Sequence, residues 1–133
     1  MNRFKYIFSL LFSGAIILLL NGCSGSETYR GTWKAMDTNN VPMEIVFEEK
    51  QFTLSDLQKN TKKTYRYSQN TIQYENGKRR YGIQVENGAS FSIAFPFQND
   101  EERAMLIAPD NTVVMTLDRT KHLPLKDFWQ LNR

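Results

Sequence analysis

Between Met43 and Phe97 bulky apolar residues recur at every second position in short stripes, and this alternation limits the fold more than anything else in the chain. Met43, Ile45 and Phe47 form one stripe. Phe52 with Leu54, Tyr65 with Tyr67, and Ile72 with Tyr74 follow, then Tyr81, Ile83 and Val85, and last Phe91, Ile93, Phe95 and Phe97. Side chains two residues apart in an extended chain share a face, so each stripe marks a strand with one face buried. Polar punctuation falls between the stripes: Glu49-Lys50, Lys59-Asn60, Gln69-Asn70, Glu75-Asn76-Gly77-Lys78, Glu86-Asn87-Gly88-Ala89 and Gln98-Asn99-Asp100. Both Asn-Gly pairs suit the positive φ angles of a two-residue type I′ hairpin turn. Short turns join neighbouring strands antiparallel, so the chain is expected to meander.

Before these stripes, Gly31 to Asp37 opens the ordered part, and Asn39-Asn40 with Pro42 reads as the first turn. After them, Ala104 to Ala108 and Thr112 to Leu117 flank Pro109-Asp110-Asn111 and are apolar at nearly every position, which suits strands covered on both faces. The total is eight or nine strands at spacings of roughly 8 to 12 residues, the range of an all-β sandwich or barrel. An open sheet of that size leaves two edges free to pair with other chains, and closure removes them. The expected fold is an all-β, small antiparallel up-and-down barrel with a short C-terminal helix. That helix is placed in the tail from about residue 121, where Leu125, Phe128, Trp129 and Leu131 have helical spacing and Pro124 a tolerated first-turn position.

The N-terminus has a different layout. Arg3 and Lys5 precede a nearly continuous apolar run from Tyr6 to Leu20 that contains no acidic residue, as in an export signal. The run is shorter than the roughly 20 residues that cross a bilayer core, and Asn21-Gly22 breaks it. It ends in Leu20-Asn21-Gly22-Cys23, which resembles the lipobox of bacterial lipoproteins. Leu20, Gly22 and Cys23 match that pattern, whereas Asn21 is a less usual occupant. The resemblance implies that residues 1–22 are a signal peptide removed on export and that the Cys23 thiol is lipidated. The protein is then held to the extracytoplasmic face of a bacterial membrane, the outer one in a cell with two. Residues 23–30, polar after the cysteine, read as a flexible linker to a domain spanning 31–133. Cys23 is the one cysteine, so no disulfide is available and packing alone must stabilise that domain. The 111 residues from Cys23 onward suit a single domain, expected to be monomeric.

Gly31-Thr32-Trp33 at the start of the first strand carries a second resemblance. A Gly-x-Trp there is similar to the calycins, the superfamily of lipocalins, avidin-like proteins and small lipocalin-like lipoproteins. In that superfamily the tryptophan closes one end of the barrel beneath an arginine from the last strand. The matching residues are Trp33 and Arg119, and a guanidinium over an indole face contributes roughly 0.5 to 2 kcal/mol. The resemblance implies a non-enzymatic role, holding a small apolar or amphipathic ligand in the barrel.

Catalytic material is sparse. His122 is the single histidine, so a histidine triad or multi-histidine metal site lacks a second member. Neither a phosphate-binding glycine loop nor a nucleophile elbow occurs. No metal and no cofactor are expected. Charge is more informative. With Arg3 and Lys5 in the leader, 15 basic residues face 14 acidic ones from Cys23 onward, nearly neutral overall. Yet Lys59, Lys62, Lys63, Arg66, Lys78, Arg79 and Arg80 fall in one window whose only acid is Glu75. Interleaved with Tyr65, Tyr67, Tyr74 and Tyr81, they form a candidate face for an anionic envelope polymer, lipid or glycan. Nucleic acid suits the charge but is not an expected partner outside the cell. The basic window is equally read as a solvated surface, and Trp33 as an ordinary core residue.

Overall fold

The alternating stripes become strands in the computed structural model, which describes residues 24–130. Residues 1–22, expected as a signal peptide, and Cys23 and Leu131 lie outside the described residues. Eight strands follow one another: β1 (Gly31–Asp37), β2 (Pro42–Phe47), β3 (Gln51–Asp56), β4 (Thr61–Glu75), β5 (Lys78–Val85), β6 (Ser90–Phe95), β7 (Arg103–Ile107) and β8 (Val113–Asp118), with a short helix α1 (Leu125–Phe128) after them. Each strand pairs antiparallel with the next. β8 returns to pair with β1, Lys34 opposite Asp118 and Asp37 opposite Met115, so the sheet closes into an up-and-down barrel. The β2–β3, β4–β5 and β6–β7 connections share an end with the start of β1 and the finish of β8, here called the entry end. The other connections lie at the far end.

Gln69-Asn70 is not a turn. The Tyr65/Tyr67 and Ile72/Tyr74 stripes belong to one strand of 15 residues, β4, interrupted by a register shift between Gln69 and Thr71. An extra residue at a bulge moves the side chains that share the Tyr67 face from odd to even numbers without reversing the chain, and beyond it Ile72 and Tyr74 are exposed, not buried as their stripe suggests. A turn would break the period in the same way, which is why the sequence pattern suggests one. β4 pairs with β3 before the bulge and with β5 from Tyr67 onward. Gly82 lies opposite the bulge. A Cβ there would stand 2.2 Å from Thr71 Oγ1 and 2.7 Å from Asn70 Oδ1.

The two Asn-Gly pairs also differ. Asn76 (φ 54°) and Gly77 (φ 75°) are both left-handed, as a type I′ turn requires. At Asn87-Gly88 only the glycine is (φ 96°), the Gly88 N–H donates to the Val85 carbonyl at 2.9 Å and the Val85 N–H donates to Ala89 at 2.7 Å. That is a type I turn followed by a glycine bulge, not the expected type I′.

Two apolar layers result. Inside the barrel, Trp33, Ile45, Phe47, Tyr81, Ile83, Ile93, Phe95 and Leu117 are buried together. Outside it, the tail lays Leu123 and Phe128 over Ala94, Met105 and Ile107. β7 is therefore buried at every residue. Thr116 Oγ1 donates to the Leu123 carbonyl at 2.5 Å, and Arg103 donates to the Phe128 carbonyl at 3.3 Å while its Nε lies 3.4 Å from Asp118 Oδ2. These bonds hold the tail to the wall.

Candidate functional site

Residues 24–30, expected as a flexible linker, are docked across the entry end. The Gly25 N–H donates to the Glu49 carbonyl at 2.8 Å, the Ser26 N–H to Gln69 Oε1 at 3.0 Å, and Arg30 Nε to the Gly25 carbonyl at 2.7 Å. Tyr29 is fully buried, its ring centroid 5.3 Å from both Phe47 and Tyr81, and its hydroxyl donates to Gln69 Oε1 at 2.8 Å. Trp33 Nε1 donates to the Tyr29 carbonyl at 2.8 Å. Above that indole lies Arg119, its guanidinium carbon 3.6 Å from the ring centroid, with its two terminal nitrogens donating to the Thr32 and Thr28 carbonyls at 3.2 Å each. Burial draws the Arg119 guanidinium below its ordinary value, against the pull of Glu102 and Glu101. The arginine thus ties plug, first strand and last strand into one closure.

Aromatic rings occupy the space behind this closure. Trp33 and Tyr81 both touch Phe95, at centroid distances of 6.2 and 6.0 Å, while Phe47 meets Phe52 at 5.5 Å and Phe52 stacks on Tyr65 at 5.2 Å. An eight-stranded barrel is only about wide enough for its own side chains, and these rings take that width.

The seven basic residues do not share one face. Lys59, Lys62 and Lys63 stand at the far end, around the β3–β4 connection and the start of β4, and are exposed together with Leu57. Arg66 lies midway along β4, beside Tyr67, Gln84 and Glu86. Lys78, Arg79 and Arg80 open β5 at the entry end, with Arg80 opposite Gln73 in the ladder. The β4 chain from Lys62 to Gln73 covers about 35 Å at roughly 3.3 Å per residue, several times the screening length in physiological salt. Adjacency in sequence becomes separation because β4 is one long strand and not two short ones.

Around Lys78–Arg80 the wall forms a groove of about 470 Å³. Its floor is Ala94, Phe95, Pro96, Met105 and Ile107, and along it stand Lys78, Arg79 and Arg80, the acid Glu75, and Gln73, Asn76 and Asn111. Arg80 donates to Asn111 Oδ1 at 3.2 Å. Arg79 is paired with Glu101 and donates to the Tyr81 hydroxyl at 3.4 Å, and the Glu101 bond raises its pKa. An apolar floor under a rim where Lys78 and Arg80 outnumber Glu75 is suited to a ligand with an alkyl part and an anionic head. The floor was readable in the sequence only as strand core. Its signal was the unbroken apolar run of β7, whose outer-face residues Met105 and Ile107 pack with Leu123 and Phe128 of the tail and also line the groove.

His122 is half-buried beyond β8, and its Nε2 lies 2.9 Å from the Met43 carbonyl oxygen. Among the described residues no group of three or more His, Cys, Asp or Glu is placed to hold a metal ion, and no helix is long and apolar enough to cross a membrane. The class that fold and site define is a closed eight-stranded antiparallel barrel, compatible with a calycin-like fold, bearing an amphipathic groove on its wall. Compared with models of protein families, with curated proteins and with solved structures, the chain has no match.

Proposed function

We propose that this protein is a lipid-anchored extracytoplasmic binding protein with a calycin-like barrel. It is not an enzyme, and it holds an amphipathic anionic ligand against the wall groove rather than inside the barrel. The observation that carries this reading is the pairing of a buried apolar floor, Ala94, Met105 and Ile107, with the cations Lys78 and Arg80, which outnumber the one acid of the lining, Glu75, in one concavity, while aromatic rings fill the barrel behind it. The leader and the Leu20-Asn21-Gly22-Cys23 pattern support anchoring through Cys23.

Titration of the full chain with an anionic amphiphile such as lysophosphatidylglycerol, read by native mass spectrometry and calorimetry, tests the site. Lys78→Glu together with Arg80→Glu is expected to weaken binding by about tenfold or more per charge, since hydrogen bonds to charged groups are worth roughly 1.5–3 kcal/mol. Lys62→Glu with Lys63→Glu is expected to leave it unchanged. The reverse result would move the site to the far end and restore the reading of a basic surface for an acidic envelope polymer.

A further inference from the structure

We infer that the entry end of the barrel seats directly on the lipid–water interface through Ile72, Tyr74 and Trp129. The inference rests on the proposal that Cys23 is acylated. It adds the orientation of the barrel and a second, protein-borne contact with the membrane carrying the anchor.

Three observations converge on it. The first is the shortness of the tether. Gly25 is bonded to Glu49 and Tyr29 is locked in the core, so Ser24 is the one residue between Cys23 and chain fixed to the barrel. One extended residue spans about 3.5 Å, less than the thickness of a headgroup layer. An acyl chain on Cys23 therefore holds the entry end at the membrane surface.

The second is the distribution of exposed apolar bulk. Among the described residues the large exposed hydrophobics are Leu57, Ile72, Tyr74 and Trp129, and the last three all lie at the entry end. Beyond the bulge, the β4–β5 ribbon carries Ile72 and Tyr74 on the same face as Tyr81 and Arg79, and that face runs past the edge of the barrel into solvent, with Tyr74 70% exposed. Tyr74 and Phe97 line one cleft beside Gly77, and the Trp129 ring centroid is 5.7 Å from that of Phe97. Tyrosine and tryptophan, with an apolar body and a polar tip, are the side chains favoured at headgroup depth.

The third is charge. At the entry end Glu48, Glu49, Glu75, Asp100, Glu101 and Glu102 stand among Lys50, Lys78, Arg79 and Arg80, with Arg79 already paired with Glu101, whereas the clustered lysines 59, 62 and 63 stand at the far end. Attraction to anionic lipid does not account for the seating. Burial of the aromatics does, and the contact is expected to form on neutral lipid and to be insensitive to salt. The same orientation turns the far-end lysines away from the bilayer.

The two tryptophans give a direct readout. Trp33 is fully buried and Trp129 is 52% exposed. The full chain is reconstituted with vesicles of phosphatidylcholine brominated along the acyl chain, and its N-terminal mass is measured in the same preparation. Quenching of the Trp129 emission with a shift to shorter wavelength, unchanged by salt and abolished in W129F, is the expected result, and Tyr74→Ser with Ile72→Ser is expected to reduce it. Emission that the brominated lipid leaves unquenched while aqueous acrylamide quenches it overturns the seating, whatever the mass shows. An N-terminus without acyl chains overturns the anchoring proposal instead, and the quenching still decides whether the entry end meets lipid. Quenching that appears only on anionic vesicles at low salt also overturns the inference.

Discussion

At the residue scale, the plug depends on two phenols that must remain protonated. Burial raises both Tyr29 and Tyr67 above the ordinary value of 10.0, and for Tyr67 the nearby Tyr29 adds to the effect. A folded-state pKa above the unfolded one gives stability that is complete below about pH 10 and is lost as pH climbs toward the folded values. The barrel is therefore expected to lose stability progressively above pH 10. Tyr67→Phe removes one of those ionisations together with the 2.5 Å bond that its hydroxyl donates to the Glu48 carbonyl. At neutral pH the variant should be less stable by about 1 kcal/mol, yet its stability should fall less steeply in alkali. Urea midpoints across a pH series check both signs, and parallel curves for the two proteins would contradict the assignment. Tyr29 was not recognisable as core from the sequence. It sits in a Ser-Glu-Thr tract with no alternating apolar partner, and it is buried because a barrel has an open end that some side chain must fill.

At the element scale, the bulge in β4 makes the second half of the strand useful. β4 already pairs with β5 from Tyr67; the bulge shifts the register of that pairing by one residue, so that the ribbon beyond it delivers Tyr74 to one face and the groove residues Gln73 and Glu75 to the other. The bulge requires Gly82, because Thr71 and Asn70 occupy the space that a Cβ would take. Gly82→Ala is expected to cost about 1–3 kcal/mol, since Thr71 is β-branched and cannot swing aside freely. A partial recovery in the triple variant with Thr71→Ala and Asn70→Ala, measured by urea unfolding, would locate the cost at the bulge. An unchanged midpoint in G82A would show that the strand relaxes without penalty. Strand identity was legible here from Tyr65, Tyr67, Ile72 and Tyr74. Strand continuity was not, because one inserted residue and a reversal of the chain disturb a period of two in the same way.

At the scale of the whole molecule, the barrel is half of a two-layer structure. A helix of four residues has almost no stability of its own, so α1 exists because Phe128 is buried against the outer wall. Phe128→Ala should cost about 3–5 kcal/mol and expose Met105 and Ile107, read as a lower thermal midpoint with increased binding of a hydrophobic dye. An unchanged midpoint would mean that the tail adds little to the wall. Phe97 and Trp129, whose rings meet that of Phe128 at 5.5 and 5.4 Å, connect this outer layer to the entry end.

By itself the sequence determined what local periodicity can encode: strands, their antiparallel order, the short helix, and the absence of disulfide support. A period of two reports which side of a strand is buried, and the punctuation reports where the chain reverses. Tertiary structure decided what depends on distance between residues far apart in the chain. It placed Arg119 on Trp33, drew residues 24–30 into the barrel end, divided the seven basic residues between the two ends, and brought Lys78–Arg80 over a floor made by β6 and β7. Closure, shear and a single bulge set those distances, and none of the three leaves a repeating mark on the amino-acid order.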